Sequence, residues 1–316
     1  MSNPNHMQAV IFKRYGGSEV LEYAEVPVPN FGDDELLVRV HSAGVSPFDI
    51  HVREGWYKKD YYTLPIILGW ELSGVVVAIG KHVTQFKIGD AIFSYPNALR
   101  VGSSYAEYNV IKAEEAVLKP AAISHHEASA ASMNAITAWQ TLFDVAKISE
   151  GQRVLIQAAA GGVGHLAVQL AKWKGAYVIG TASAKNAEFL NQIGVDEYVD
   201  YTKTPLEKAV KPVDVVIDTI GGEVLQKSFQ LVKKGGIVVT MIDFEGIKAA
   251  NTHGIEGKTV FALPNSQQLT EIAKLLAQGT LKPFIQSVFP LTEAAKAHQA
   301  VESGHVRGKI VLEIPS

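Results

Sequence analysis

The first third of the chain carries short hydrophobic runs of the kind that form β-strands. Four of them are ELLVRVHSAG, ELSGVVVAIG, GDAIFSY and YAEYNVI, and Gly, Pro and Asp interrupt the chain between them. Short runs at this spacing, bounded by turn-forming residues, are typical of antiparallel sheets. The pattern therefore predicts a compact, mostly antiparallel β domain.

The pattern changes at Ser124, where the signals of a helix begin. Ser124 and Glu127 have the spacing of a capping box, and small residues follow them. A second helix is predicted through AITAWQTLFDVA. After it, apolar runs alternate with helical stretches, and these runs are RVLIQA, AYVIG, EYVDY, DVVIDT, GGIVVTM and KTVFAL. Such alternation predicts a parallel sheet flanked by helices.

The last part of the chain returns to mixed structure. It contains a predicted helix in QQLTEIAKLLAQG, an amphipathic helix in LTEAAKAHQAVESG and a final strand in KIVLEI. The fold class expected from the whole pattern is α/β. No run reaches the roughly 18 apolar residues that a membrane-spanning helix needs, so we expect no membrane segment.

Composition and charge narrow the classes of partner. The 316 residues are enough for one large or two ordinary domains, and 47% are hydrophobic against 19% charged, as in globular proteins. Lys and Arg number 29 against 32 Asp and Glu, a net charge of −3. Because no broad basic field exists to attract nucleic acid or anionic lipid, a small-molecule substrate is favoured. The first residues do not resemble a secretory signal, so a cytoplasmic location is expected.

The sequence contains no cysteine. This excludes disulfides, thiolate nucleophiles and every cysteine-containing metal site. The histidines do not suggest a metal site either, because His125 and His126 are adjacent and His298 and His305 are seven residues apart. We expect these four to be helix-cap and surface residues.

A glycine-rich turn, AAAGGVG, lies between the predicted strand RVLIQA and a predicted helix. In this context such a turn is typical of a dinucleotide site, and we assign Gly161, Gly162, Val163 and Gly164 to it. Gly161 would let the backbone approach a pyrophosphate, and Gly164 would let the helix pack closely on the strand. Free N–H groups at the helix start would then face the phosphates. The alternative is a turn that serves packing only, since Ala159 replaces the first glycine of G-x-G-x-x-G.

The end of the next predicted strand indicates which dinucleotide is bound. Proteins that bind NAD usually place Asp or Glu there, about 20 residues after the glycines. This chain has Ser183 and Lys185 instead, and a hydroxyl with an ammonium suits the 2′-phosphate of NADP. Tyr201, at the end of the third strand, could close over the same phosphate. The alternative is that Ser183 caps a helix and Lys185 is a solvated surface charge.

With these features placed, the chain resembles the medium-chain dehydrogenase/reductases, and among them the zinc-free quinone oxidoreductases. The resemblance covers essentially the whole chain. It rests on seven stretches in colinear order, namely GVSPFDIHVREG, LGWELSG, VVVAIGKHVTQFKIGD, AITAW, AAAGGVGHLAVQLAKWKGA, DVVIDTIGGE and GHVRGKIVLE. It implies a GroES-like catalytic domain over residues 1–122 and 266–316 and a Rossmann domain over residues 123–265. Dimerisation is implied by analogy.

The zinc ligands of related alcohol dehydrogenases are missing here. At the three ligand positions this chain has Ser46, Trp70 and Met133, and the four-cysteine structural lobe is absent. Tryptophan and methionine are not plausible zinc ligands. We therefore expect a zinc-independent enzyme.

The resemblance implies hydride transfer from NADPH to a quinone or to the β-carbon of an α,β-unsaturated carbonyl. Ser46 stands where quinone reductases usually have an asparagine near the nicotinamide. Tyr57 matches a tyrosine that lines their cleft, and His51 stands where many have another tyrosine. Tyr57 or His51 could donate a hydrogen bond to the developing oxyanion, and water could do so equally well.

The resemblance also implies further cofactor contacts. Thr137 matches a cofactor-contacting threonine of the family. Ile220 and Ile242 follow strand ends beside the nicotinamide half, with plain core packing as the alternative. Phe261 and Leu263 would approach the carboxamide, and Arg307 or Lys309 would reach the cofactor; of these two, we assign Lys309.

Two other classes of function remain open. One is an NADPH-binding sensor or crystallin-like protein with little turnover, which the binding motifs alone do not distinguish from an enzyme. The other is a zinc-free alcohol dehydrogenase, which would need a strong base near the nicotinamide. Assays with NADPH and a quinone, or with simple alcohols, separate these classes.

Overall fold

The computed structural model describes residues 4–57, 59, 62–96 and 100–315. The chain forms two compact units. The first unit comprises Met1–Met133, Leu263–Gly279 and Pro283–Ser316, and the second comprises Asn134–Ala262 and Thr280–Lys282. The domain limits expected from the sequence, at residues 122/123 and 265/266, stay a prediction.

The strands and helices are as follows. In chain order the strands are β1 (His6–Phe12), β2 (Glu22–Pro27), β3 (Glu35–Val45), β4 (Ile66–Ile67), β5 (Leu72–Ile79), β6 (Ala91–Ser94), β7 (Tyr108–Lys112), β8 (Ala116–Leu118), β9 (Arg153–Ile156), β10 (Tyr177–Ala182), β11 (Glu197–Asp200), β12 (Val213–Asp218), β13 (Val232–Thr240), β14 (Glu256–Thr259), β15 (Ile285–Pro290) and β16 (Lys309–Glu313). The α-helices are α1 (Pro47–Glu54), α2 (His125–Trp139), α3 (Gly164–Trp173), α4 (Ala187–Gln192), α5 (Leu206–Ala209), α6 (Gly222–Ser228), α7 (Ser266–Ala277) and α8 (Ala294–Glu302).

The first unit is built on two sheets. One has the order β15-β16-β3-β5-β6-β8, with β7 also paired to β3, and the other has the order β2-β1-β4. The strand pairs are antiparallel except for β15 with β16. The prediction of a mostly antiparallel β domain is confirmed. β3 is the central strand of the larger sheet: it pairs with β16, β5 and β7, and most of its residues are buried.

The second unit contains one parallel sheet in the order β11-β10-β9-β12-β13-β14. The strands β9 to β13 coincide with predicted apolar runs, whereas β14 shares only Lys258 and Thr259 with the predicted run KTVFAL and ends before its apolar residues. Its core includes Leu155, Ile179, Val216, Val238 and Phe229. The strand order reverses direction between β9 and β12, and in doubly wound folds ligands bind beyond the carboxyl ends of the strands at this point.

One predicted helix also differs. The helix expected through AITAWQTLFDVA does not start separately, because α2 runs without a break from His125 to Trp139 and continues as a π-helix over Gln140–Val145. Neither Gly nor Pro occurs between His125 and Ala146, so nothing in the sequence ends the first helix. The predicted capping box is present, with Ser124 N and Oγ each donating to Glu127 at 2.7 Å.

Candidate functional site

Ser46 begins α1, and Asp49 completes its cap. The Ser46 N–H and hydroxyl both donate to Asp49 Oδ2, at 2.8 and 2.6 Å, and the Asp49 N–H points back to Ser46 Oγ at 3.4 Å. This is a capping box followed by Pro47 in the first turn. Gly69 N–H donates to Asp49 Oδ1 at 3.0 Å. Burial raises the pKa of Asp49, while the Ser46 hydrogen bonds oppose that shift. The Ser46 hydroxyl hydrogen is thus directed at Asp49.

The two candidate donors lie at the other end of α1. His51 is half-buried and stacks on exposed Trp56, with ring centroids 5.2 Å apart and planes 5° from parallel. Burial lowers the pKa of His51, which favours a neutral ring near pH 7. Tyr57 packs edge-on against Phe48 at 5.2 Å. His51 thus lies within α1 and Tyr57 three residues after its end, and their assignment as hydrogen-bond donors stays a prediction.

Trp70 occupies the interior of the first unit. It is fully buried, its indole N–H donates to the Arg100 carbonyl at 3.0 Å, and its ring meets Phe48 at 4.8 Å. Trp70 therefore fills internal volume at the position where related alcohol dehydrogenases have a zinc ligand. Among the residues that the structure describes, no group of three His, Cys, Asp or Glu side chains is arranged to hold a metal.

Lys309 forms a buried ion pair within the first unit. Its ammonium lies 2.6 Å from Glu71 Oε1 and 2.9 Å from the Val45 carbonyl, and both charged side chains are buried. Tyr95 lies near this pair, and burial together with the Glu71 carboxylate raises the pKa of Tyr95. The assignment of Lys309 to the cofactor stays a prediction, and the ion pair gives this lysine a structural role that the sequence did not reveal.

The glycine turn of the second unit directly precedes α3. A Cβ on Gly164 would lie 2.2 Å from the Ala158 carbonyl oxygen, so close packing excludes a side chain there. A Cβ on Gly161 would lie 3.2 Å from the same oxygen, which a small adjustment accommodates. Gly162 and Val163 complete the turn, and no side chain caps the start of α3. Internal packing thus fully explains why residue 164 is a glycine, and only partly explains why residue 161 is one.

Neighbouring strand ends hold this turn in place. Thr181 at the end of β10 receives the Ala158 N–H on its hydroxyl at 3.2 Å and the Ala159 N–H on its carbonyl at 3.0 Å. Thr219, just after β12, donates its hydroxyl to the Gln157 carbonyl at 3.1 Å. Ala158 itself has a left-handed backbone, with φ of 44°. The conformation is therefore imposed by the strands on both sides.

Register brings the predicted phosphate-binding residues to one place. Ala182 and Asp200 are paired at the ends of β10 and β11, so Ser183 and Tyr201 follow side by side. Ser183 is half-buried and Lys185 is exposed. Asp200, which no sequence pattern indicated, also lies here: its carboxylate accepts hydrogen bonds from the hydroxyl and the N–H of Thr202, which lower the pKa of Asp200.

A row of exposed apolar side chains follows the carboxyl ends of the other three strands of the parallel sheet, β12, β13 and β14. Asp218, Thr240 and Thr259 are paired across β12, β13 and β14, and Ile220, Ile242 and Phe261 each follow two residues later. The exposed fractions of these three side chains are 45%, 48% and 40%. The alternative of core packing for Ile220 and Ile242 is therefore wrong. The Thr240 hydroxyl donates to buried Asp218 at 2.6 Å and holds the first two strand ends together.

The candidate residues thus fall into two groups, one in each unit. The first unit holds Ser46, His51, Tyr57, Leu263 and Lys309, of which Leu263 is 45% exposed. The remaining candidates belong to the second unit, including half-buried Thr137, whose carbonyl accepts the Thr141 hydroxyl at 2.6 Å. The sequence did not identify Asp218 or exposed Phe244, because a strand-end aspartate and a lone apolar loop residue carry no local signal.

The comparisons with protein families match both parts of the chain. Residues 32–121 match the alcohol dehydrogenase GroES-like domain, and residues 193–312 match the zinc-binding dehydrogenase family. The first match confirms the GroES-like fold that the sequence analysis expected.

The comparisons with individual proteins extend over nearly the whole chain. The chloroplastic NADPH-dependent alkenal/one oxidoreductase of Arabidopsis thaliana is 30% identical, over 98% of this chain and 80% of its own length. The quinone oxidoreductase of Coxiella burnetii has a TM-score of 0.94 at 33% identity, covering 98% of this chain and 100% of that one. The Escherichia coli quinone oxidoreductase complexed with NADPH has a TM-score of 0.88 at 29% identity, covering 97% and 99%. This chain therefore belongs to the quinone oxidoreductase branch of the medium-chain dehydrogenase/reductase superfamily.

Proposed function

We propose that this protein transfers a hydride from NADPH to a quinone or an α,β-unsaturated carbonyl compound, and that it does so without zinc. The observation that carries the proposal is the sequence of features along the carboxyl edge of the parallel sheet. In strand order from β11 to β14, the edge presents Tyr201, then Ser183 with Lys185, then the glycine turn, then the apolar row of Ile220, Ile242 and Phe261.

This order matches the chemical order of NADPH. The cationic and hydroxyl groups suit the 2′-phosphate, the bare turn at the start of α3 suits the pyrophosphate, and the apolar row suits the nicotinamide. The room left beside Gly161 is where the backbone of the turn would meet the pyrophosphate. The residues present therefore fit the cofactor.

When bound, NADPH supplies the hydride, and the protein supplies orientation and a hydrogen-bond donor. The acceptor gains a hydride at carbon or oxygen and a proton on the oxygen where negative charge develops. Tyr57 or neutral His51 would stabilise that oxygen by donating a hydrogen bond. Ser46 is the weaker candidate, because its hydroxyl hydrogen is directed at Asp49.

Names of relatives favour this class of acceptor. The Arabidopsis relative is an alkenal/one oxidoreductase that depends on NADPH, and two structural relatives are quinone oxidoreductases. Both acceptors present an electrophilic carbon conjugated to a carbonyl. We therefore propose this shared electrophile, not a simple alcohol, as the substrate.

The test is an acceptor screen with purified protein. Quinones, enones and enals are each offered with NADPH, and simple alcohols are offered with NADP as the contrasting set. We expect NADPH consumption with members of the first set only. Oxidation of alcohols at pH 7, or tight NADPH binding with no turnover of any acceptor, would refute the proposal.

We also propose that the protein is a homodimer in the cytoplasm. β14 ends the strand order of the parallel sheet, and three of its four residues are exposed. A second copy could pair with this edge, as exposed sheet edges commonly do. Sedimentation equilibrium that finds a monomer at micromolar concentration would contradict the dimer.

In the described residues no helix has the length and hydrophobicity to cross a bilayer.

A further inference from the structure

Two buried histidines have no role in the hydride transfer proposed above. Of the histidines in the described part of the chain, His165 and His298 are fully buried. The sequence predicts His298 at the surface, and that prediction is wrong, because its ring nitrogens lie against Arg53 and Tyr105. His165 is the second residue of α3 and follows the glycine turn directly. It is therefore the buried histidine that lies beside the proposed cofactor site.

The ring of His165 is bound to the glycine turn. Its Nδ1 lies 2.8 Å from the Gly161 carbonyl oxygen. A carbonyl oxygen only accepts, so Nδ1 carries a hydrogen and donates it. The ring also packs beside Phe189 of α4, with the ring centroids 6.4 Å apart. The orientation of the imidazole is therefore fixed by a hydrogen bond and by packing.

The Gly161 carbonyl accepts a second hydrogen bond from the same residue. The backbone N–H of His165 donates to it at 3.1 Å, with the four-residue spacing of an α-helix. This carbonyl therefore points along α3, toward the body of the helix. Because the peptide unit is planar and trans, the N–H of Gly162 points the opposite way, outward from the start of the helix. An N–H in this direction is of the kind that binds a phosphate.

The peptide between Gly161 and Gly162 is easily rotated, because neither residue has a Cβ to hinder it. Reversal of this peptide would aim the Gly161 carbonyl oxygen outward in place of the Gly162 N–H. The partial negative charge of that oxygen would then repel a pyrophosphate. Reversal also breaks both hydrogen bonds that His165 donates to this carbonyl. The imidazole thus adds directly to the free energy that reversal costs.

We propose that His165 is a positioning residue for the cofactor. Its imidazole keeps the Gly161 carbonyl turned toward α3, and the Gly162 N–H is thereby presented to the pyrophosphate of NADPH. The identity of this ligand rests on the proposed function, whereas the hydrogen bond between His165 and Gly161 does not. His165 acts through the backbone of the turn and needs no contact of its own with the cofactor.

Two variants of His165 separate its donor from its volume. Leucine fills the buried position without a donor, whereas the side chain of asparagine offers an N–H close to the position of Nδ1. We expect His165→Leu to bind NADPH about ten-fold more weakly, as for one lost hydrogen bond, and His165→Asn to bind within about three-fold of wild type. The matched control is His253→Leu, which removes an exposed imidazole from the same unit and should leave the Kd unchanged.

Adenosine 2′-monophosphate distinguishes positioning of the turn from general damage to the second unit. This ligand has the 2′-phosphate and no pyrophosphate, so its Kd should be the same for wild type and His165→Leu. Equal weakening of both ligands, or unchanged NADPH binding by His165→Leu, would overturn the proposal. A wild-type protein that bound neither ligand would refute the proposed function and, with it, the cofactor role of His165.

NMR of the wild-type protein tests the hydrogen bond without any ligand. Histidine labelled with ¹⁵N would be observed, and the spectrum of His165→Asn would assign the signal among the 10 histidines. We expect a hydrogen on Nδ1 of His165 at pH 7. A ring with its hydrogen on Nε2 alone would overturn the proposal, whatever the variants bind. The same measurement decides the matter if His165→Leu does not fold.

Discussion

We expect Gly161 and Gly164, in the turn at the start of α3, to exclude a larger side chain for different physical reasons. We predict that Gly164→Ala destabilises the second unit by about 1–3 kcal/mol, because its Cβ would press on the Ala158 carbonyl. Gly161→Ala should fold nearly as well as wild type and bind NADPH about ten-fold more weakly, with Gly161→Val weaker still. Thermal melts and cofactor titrations on the same samples separate these effects. Normal NADPH binding by Gly161→Val would show that this glycine serves packing alone.

We predict that single residues at the ends of β10 and β11 also decide which cofactor is bound. A charge-assisted hydrogen bond contributes about 1.5–3 kcal/mol. Lys185→Ala should therefore weaken NADPH binding by about ten- to a hundred-fold and leave NADH binding unchanged. The carboxylate introduced by Ser183→Asp should repel the 2′-phosphate, so this variant should lose NADPH binding and still bind NADH. Dissociation constants for both cofactors are the measurement. A wild-type preference for NADH would remove the phosphate site from the proposal.

At the scale of elements, the ion pair between Lys309 and Glu71 joins β16 to the residue before β5. Glu71→Gln removes the carboxylate that lies 2.6 Å from the ammonium, and we predict a loss of about 3–5 kcal/mol in the free energy of unfolding. The double variant Glu71→Gln with Lys309→Met should recover much of that loss, because no buried charge is left behind. Denaturant unfolding of the three proteins provides the comparison. Equal stability of the single variant and wild type would show that the pair contributes nothing.

The elements themselves were mostly predictable, because their signals are local. The runs of β9 to β13 and the capping boxes at Ser46 and Ser124 depend on residues within a few positions of each other. The second helix was placed wrongly because propensity does not show whether adjacent helical segments are continuous. The Ser46 box, present in the structure, was not identified because Ser46 was considered only as a zinc-ligand position and as a neighbour of the nicotinamide.

At the scale of the whole molecule, metal content is the decisive property. We predict that purified protein contains no stoichiometric zinc and that strong chelators leave its reductase activity unchanged. The reason is chemical: the chain has no cysteine, and the ligand positions carry a hydroxyl committed to Asp49 and a buried indole. Elemental analysis that finds one zinc per chain would contradict this, and the same sample after chelation serves as its own control.

The sequence by itself determined the two kinds of domain, most strand and helix positions, the glycine turn and the absence of an acidic residue after β10. Each depends on spacing along the chain, which periodicity and turn chemistry express directly. Only the tertiary structure decided that Lys309 pairs with Glu71, that Ile220 and Ile242 are exposed, and that His298 is buried against Tyr105 and Arg53. These partners are separated by 193 and 245 residues for His298, and by 238 for Lys309. Which distant side chains meet depends on strand order and register, and no local pattern encodes it.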